Sequence, residues 1–190
     1  LLFPRTQRTY GYNINMANRF MEEIFEIFDK GGTPQGQMYT SAIMNFGRAG
    51  EWEKALQVLS LMDLHGQSPH VICYNAAITA CGKSAQWEKG IELIRVMKRR
   101  GVQPDVVNYN TIITVCGKCR QWARAMEMFD EMKKKGITPD VITYTAVISV
   151  CAKNGHGKEA LEVFQEMRKV ASTSQPVSKS SSWFFSPLLF

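Results

Sequence analysis

Long apolar runs are missing from this chain, and so is any pattern of catalytic residues. No stretch approaches the roughly 20 consecutive apolar residues that a bilayer-spanning helix needs, so no membrane partner is expected. The three histidines, His65, His70 and His156, are scattered, with no nucleophile or metal-ligand pattern around them, and no glycine-rich phosphate loop is present. The expectation is a chain that is not itself catalytic and uses no cofactor, metal ion or small-molecule substrate. Cysteine is scarce and odd in number, at five, and Cys81, Cys116 and Cys151 recur at one fixed interval. Equivalent positions in stacked helical units lie farther apart than the ~7 Å that a disulfide spans between Cα atoms. A reducing compartment is therefore expected. Cys116-x-x-Cys119 has zinc-type spacing, but a lone pair falls short of a tetrahedral ligand set and Cys116 already has a packing role. Acidic residues are absent from positions 1–21, which hold Arg5, Arg8 and Arg19. Two readings stay open there: an organelle transit peptide, or a divergent or incomplete copy of the unit described next.

What is present is a beat of 35 residues. Trp52, Trp87 and Trp122 keep it, as do Tyr39, Tyr74, Tyr109 and Tyr144, Pro34, Pro69, Pro104 and Pro139, and Gly31, Gly66, Gly101 and Gly136. A fixed period of this length marks a solenoid of like units, each too small to bury its own apolar face. Full units fall at 36–70, 71–105 and 106–140, with an incomplete one at 141–170. They are preceded by a divergent or partial repeat at 1–35 and followed by a Ser-rich tail at 171–190, expected to be disordered or cap-like.

Each unit carries helical spacing twice. Tyr74, Ala77, Ile78 and Cys81 form one stripe, repeated by Tyr109, Ile112, Ile113 and Cys116. Trp87, Ile91, Ile94 and Met97 form the other, repeated by Trp122, Met126, Phe129 and Met132. Both follow one face of an α-helix, and strand alternation fits neither. The tryptophans open the second stripe and read as core rather than as base-stacking platforms. Gly82 and Gly117 are expected to end the first helix as left-handed caps, and Gly101 with Pro104, like Gly136 with Pro139, to stop the second. Lys98, Arg99 and Arg100, like Lys133, Lys134 and Lys135, fall in last turns, where cations complement the helix dipole. Residues 19–35 read as a second helix (Phe20, Met21, Ile24, Ile27) with no clear first helix before it. The formal charge of +6 suits an anionic partner.

The unit's wording is as regular as its period. One copy opens Val106-Val107-Asn108-Tyr109-Asn110-Thr111-Ile112-Ile113 and closes Gly136-Ile137-Thr138-Pro139-Asp140. Another opens Val71-Ile72-Cys73-Tyr74-Asn75 and closes Gly101-Val102-Gln103-Pro104-Asp105, and a third opens Val141-Ile142-Thr143-Tyr144-Thr145. Over residues 19–170 the chain resembles the pentatricopeptide repeat family, whose 35-residue units differ from the 34-residue tetratricopeptide repeat. The resemblance implies an all-α, right-handed superhelix of antiparallel helix pairs that binds single-stranded RNA, one base per unit. It also implies a mitochondrial or plastid location, work in RNA processing, stabilisation, editing or translation, and other RNA-processing proteins as further partners.

In that family the fifth and last residues of a unit choose the base. By resemblance these are Thr40 with His70, Asn75 with Asp105, Asn110 with Asp140, and Thr145 with Gln175. Asn with Asp favours uracil and Thr favours purines, so the implied core is purine-U-U-purine, read with the amino end toward the 5′ end. An Asn amide offers donor and acceptor to a pyrimidine edge, and a carboxylate accepts from a base or orients its neighbour. Thr40 with His70 departs from the usual pairs, and Gln175 lies where the motif has broken down. The second residue of a unit sandwiches bases, which maps to Ile72, Val107 and Ile142, with Gln37 a poor clamp in the first unit. Arg48, Lys83, Lys118 and Lys153 stand at first-helix ends on the same beat and are candidates for tracking phosphates.

Plainer roles stand beside these. Asp105 and Asp140 precede first helices and would cap them whatever the function, and Asn75 and Asn110 also fit as ordinary exposed polar residues. The rival function is a helical-repeat protein-interaction scaffold, which needs no such strict recurrence of polar residues. A non-functional fragment is a second rival.

Overall fold

The computed structural model describes residues 5–174, with side chains from 14 to 172. Among these residues are nine α-helices and no strand: α1 (Arg5–Asp29), α2 (Gly36–Ala49), α3 (Trp52–Leu64), α4 (Val71–Lys83), α5 (Trp87–Arg99), α6 (Val106–Lys118), α7 (Trp122–Lys134), α8 (Val141–Lys153) and α9 (Gly157–Ser174). The two stripes account for the pairs. Tyr74, Ala77, Ile78 and Cys81 of α4 are buried, as are Ile91, Ile94 and Met97 of α5; their counterparts in α6 and α7 are buried too, except Met126, which is half-buried. The three tryptophans are half-buried against this core. Gly101 and Gly136 take left-handed φ of 73° after α5 and α7, and Pro104 and Pro139 precede the next first helix.

The helices stack as an α-helical repeat solenoid. First helices touch in succession, α2 to α4 to α6 to α8, and each of α3, α5 and α7 packs against the first helix of its own unit and of the next. Among the described residues, the backbones of successive second helices do not approach one another closely. They are linked instead by long side chains in register. Lys98 of α5 pairs with Glu131 of α7, which also accepts from Tyr109 Oη at 2.7 Å. Lys133 of α7 pairs with Glu166 of α9 at 3.2 Å, which accepts from Tyr144 Oη at 3.1 Å. One interface earlier the polarity reverses, with Asp63 of α3 paired to Arg100, which also donates to Tyr74 Oη at 3.3 Å.

Three expectations need correction. Gly82 and Gly117 are not left-handed caps: they lie inside α4 and α6. The left-handed residues are three positions on, Ala85 (φ 57°) and Arg120 (φ 58°), in register with Gly50 and Gly155. Gly82 and Gly117 serve close approach, since a Cβ on either would meet Val115 or Val150 Cγ2 at 2.2 Å. That spacing lets first helices stack tightly into one layer. The amino-terminal segment is also different, for α1 is a continuous helix of 25 residues from Arg5 rather than a helix beginning near residue 19. Its apolar face (Ala17, Ile24) is buried, and it packs on α2 as a second helix would. At the other end α9 continues through Ser174, four residues into the segment expected as tail.

Candidate nucleic-acid interface

The layer of first helices brings the same positions of successive units alongside one another. Grooves lie between its members. One of about 570 Å³ runs between α4 and α6 and is lined by Lys83, Val107, Asn110, Lys118, Asp140 and Ile142, among others. Smaller ones fall between α2 and α4, with Arg48, Ile72 and Asn75, and between α6 and α8, with Lys118 and Lys153. Ile72, Val107 and Ile142 stand out from this layer, 56%, 52% and 67% exposed. Apolar side chains exposed in register on one face have no part in the core and leave flat surfaces for another molecule.

The four residue pairs differ in how they are held. Asn110 Nδ2 donates to Asp140 Oδ1 at 3.3 Å. Asp140 is itself locked as the N-cap of α8, accepting at 2.7 Å from both the backbone N–H and the hydroxyl of Thr143. These bonds, the backbone one foremost, hold its carboxyl below the usual carboxylate range. Asn110 Oδ1 is shielded from solvent and has no hydrogen-bond partner. Asp105 caps α6 the same way, accepting from the Asn108 N–H at 2.9 Å while Asn108 Oδ1 accepts from the Asp105 N–H at 3.0 Å. Asn75, however, is bonded to Thr111, whose Oγ1 lies 3.0 Å from Asn75 Oδ1, and not to Asp105.

In the first pair a third residue intervenes. Cys73 Sγ lies 3.5 Å from Thr40 Oγ1 and 3.4 Å from His70 Nδ1, a buried thiol bridging the two positions. His70 precedes α4 without a capping side-chain bond, so this unit lacks the box that Asp105 and Asp140 build. Thr145 Oγ1 donates back to the Val141 carbonyl at 2.7 Å, and its proposed partner Gln175 lies outside the described residues. Sequence reasoning missed Cys73 and Thr111. For Cys73 a signal existed: it shares a repeat position with Asn108 and Thr143, the partners of the capping aspartates. For Thr111 none did, since Ser41, Ala76 and Ala146 occupy its place elsewhere.

Of the basic residues, Arg48, Lys83, Lys118 and Lys153 are all exposed at first-helix ends. Lys83 Nζ donates to the Arg48 carbonyl, tying the end of one first helix to the next. Cys116 sits in the core, where burial pushes its thiol up to about 12.

Three family models match the chain. The model described as PPR repeat family matches residues 69–107 and 104–153, PPR repeat matches 142–170, and pentatricopeptide repeat domain matches 23–84. Among curated proteins none matches. Among solved structures, the pentatricopeptide repeat protein PPR10 in complex with an 18-nt psaJ RNA element is similar at 28% identity and a TM-score of 0.64, over 78% of this chain and 22% of PPR10. PPR10 from maize is similar at 26% identity and a TM-score of 0.66, over 85% of this chain and 23% of PPR10. The PPR domain of Arabidopsis thaliana protein-only RNase P 1, in complex with tRNA, shares the fold at 14% identity and a TM-score of 0.70, over 92% of this chain and 91% of that one. The chain thus spans less than a quarter of the length of PPR10.

Proposed function

The chain belongs to the pentatricopeptide repeat family, and from that premise we propose that it binds single-stranded RNA along the first-helix layer, one base to a unit. The core it prefers is purine-U-U-purine, 5′ to 3′. The bases face Thr40 with His70, Asn75 with Asp105, Asn110 with Asp140, and Thr145 with Gln175. Ile72, Val107 and Ile142 sandwich the bases, and Arg48, Lys83, Lys118 and Lys153 attract the phosphates. The chain acts by binding rather than by catalysis, in mitochondrial or plastid RNA processing, stabilisation, editing or translation, alongside other RNA-processing proteins.

One observation carries this reading: apolar Ile72, Val107 and Ile142 stand exposed in register on the first-helix layer, beside grooves lined by Asn75, Asn110 and Asp140. PPR10, a relative solved on RNA, supports the same partner class. Four units discriminate modestly, since each misread base costs about 1–3 kcal/mol. The test is fluorescence anisotropy with short RNAs holding A-U-U-G, their U-to-C and U-to-A variants, and matching DNA. Tightest binding to the U-U core is expected, with log Kd rising against log salt at roughly 0.7 per phosphate contacted. Binding blind to base identity would reduce the chain to a basic solenoid, and no binding by the folded protein at low salt would point to a protein partner.

A further inference from the structure

On the second-helix side of the solenoid, a groove of about 260 Å³ between α3 and α5 has Ser60 and Asp63 on one wall and Val96 and Arg100 on the other. One unit earlier those four positions are Phe25 and Phe28 of α1 and Leu61 and His65 of α3. The Phe28 and His65 rings stack there, centroids 4.1 Å apart and 15° from parallel. The later interfaces close instead through Asp63 with Arg100, Lys98 with Glu131, and Lys133 with Glu166. The stack leaves Phe28 48% exposed; Phe25, one turn before it on the same face, is 47% exposed, and Leu64, beside His65 in the chain, is 79% exposed. Later units hold Arg95, Asp130 and Gln165 at the place of Phe25, and Arg99, Lys134 and Lys169 at that of Leu64. The fold therefore does not require apolar residues at these two places, and a cluster of them on the surface marks a contact site. The charge around it is also distinctive. In a chain of formal charge +6, positions 22–29 hold four acids, Glu22, Glu23, Glu26 and Asp29, and no base. Glu23 pairs with Arg19, and Glu26 with Lys30. Glu22 and Asp29, three residues before and four after Phe25 and so on its side of the helix, are exposed and have no ion pair among the described residues.

We propose that this surface of α1 and α3 docks a helix of a partner protein, one that carries a stripe of large apolar residues with Lys or Arg along one side. Phe25, Phe28 and Leu64 receive the stripe, and Glu22 and Asp29 meet the cations. A helix repeats its apolar anchors every three or four residues, the spacing that Phe25 and Phe28 present. Complementary charge at the rim orients the helix and selects against acidic ones. RNA is the wrong occupant, since its phosphates would face carboxylates. The site lies on the second-helix side, away from the first-helix layer, so it does not depend on the RNA-binding reading and both surfaces can be occupied together.

The experiment uses the full chain and two fluorescein-labelled helical peptides of about 18 residues. Both carry Leu at every third or fourth position; one has Lys beside that stripe and the other has Glu. By fluorescence anisotropy the Lys peptide is expected to bind on the order of tenfold more tightly than its Glu twin. Phe25→Ser with Leu64→Arg introduces the residues that the next unit holds there, Ser60 and Arg99. This double variant should keep the parent Tm and weaken the Lys peptide on the order of tenfold. Glu22→Lys with Asp29→Lys should reverse the preference between the two peptides. Equal binding of both peptides, no binding of either, or binding that neither double variant changes overturns the proposal. So does self-association of the parent protein in sedimentation velocity that Phe25→Ser with Leu64→Arg abolishes, since the face would then join two copies of this chain.

Discussion

A methyl group at Gly47 tests whether first helices stack as closely as the grooves require. Gly47 lies in α2 with normal helical backbone, and an added Cβ would come 2.6 Å from the Ala76 carbonyl oxygen of α4 and 3.2 Å from its carbonyl carbon. Carbon–oxygen contacts ordinarily settle at about 3.3–3.6 Å. Because the obstacle is backbone, no rotamer change relieves it, and the two helices must separate locally. Overpacking of this kind costs about 1–3 kcal/mol, and replacing a helical glycine by alanine returns about 1 kcal/mol. Gly47→Ala should therefore destabilise the solenoid by about 1 kcal/mol, lowering Tm by roughly 2–4 °C in a chain of this size, as read by circular dichroism. The control is Ala152→Gly, three units on in the same register, in α8, beyond which no further first helix packs among the described residues. There the loss of helix propensity alone costs about 1 kcal/mol. The sign decides: Gly47→Ala melting at or above the parent protein would mean that α2 and α4 do not approach as described. The groove between Arg48, Ile72 and Asn75 would then have a different shape.

Other outcomes follow from the same geometry. Ala85→Gly and Arg120→Gly should each raise Tm, since a non-glycine left-handed residue costs about 1–2 kcal/mol and the added freedom of the unfolded chain offsets about half of it; a fall in Tm would remove these positions as the strained ones. Asp140→Ala should cost about 1 kcal/mol through loss of the α8 cap, whereas Asp140→Asn should keep stability while changing base preference. The Asp140 carboxyl sits below its ordinary range, so its contribution is present at neutral pH and lost as pH falls through the folded value, visible as a smaller parent-to-Ala difference in acid melts. Burial raises the Cys81 and Cys116 thiols from about 9 to about 11 and about 12. The folded state then holds more protons than the unfolded one above pH ~9, so Tm should decline as pH rises from 9 to 11, and Cys81→Ala with Cys116→Ala should flatten that decline. A thiol reagent at pH 8 should label the half-buried Cys119 first, before Cys73, Cys81, Cys116 or Cys151.

The period, the two helices of each unit and the buried faces were legible in the chain because they rest on local signals. Helical spacing, glycine after the second helix and proline before the next first helix act within a few residues, and 35-residue recurrence multiplies each one. Where the reading slipped, a local signal had two meanings. Gly82 and Gly117 looked like caps because glycine near a helix end usually is one, but they are spaces for Val115 and Val150, residues 33 positions away. The unbroken α1 was missed because its first turns lack the family's wording, although nothing between Arg5 and Asp29 stops a helix.

The line of positions proposed to face bases came from the family's pattern, and from sequence alone its members looked interchangeable from unit to unit. Tertiary structure decides how each is held. Asn110 reaches Asp140 across 30 residues, Asn75 is taken by Thr111 across 36, and Cys73 stands between Thr40 and His70. Apart from the local Cys73–His70 contact, these exist only once neighbouring first helices stack, because each joins groups from different units or from opposite ends of one. The physical reason is range: helix formation and capping are settled over one or two turns of chain. What an amide bonds to is settled by whichever neighbour the stacked layer brings within hydrogen-bond reach.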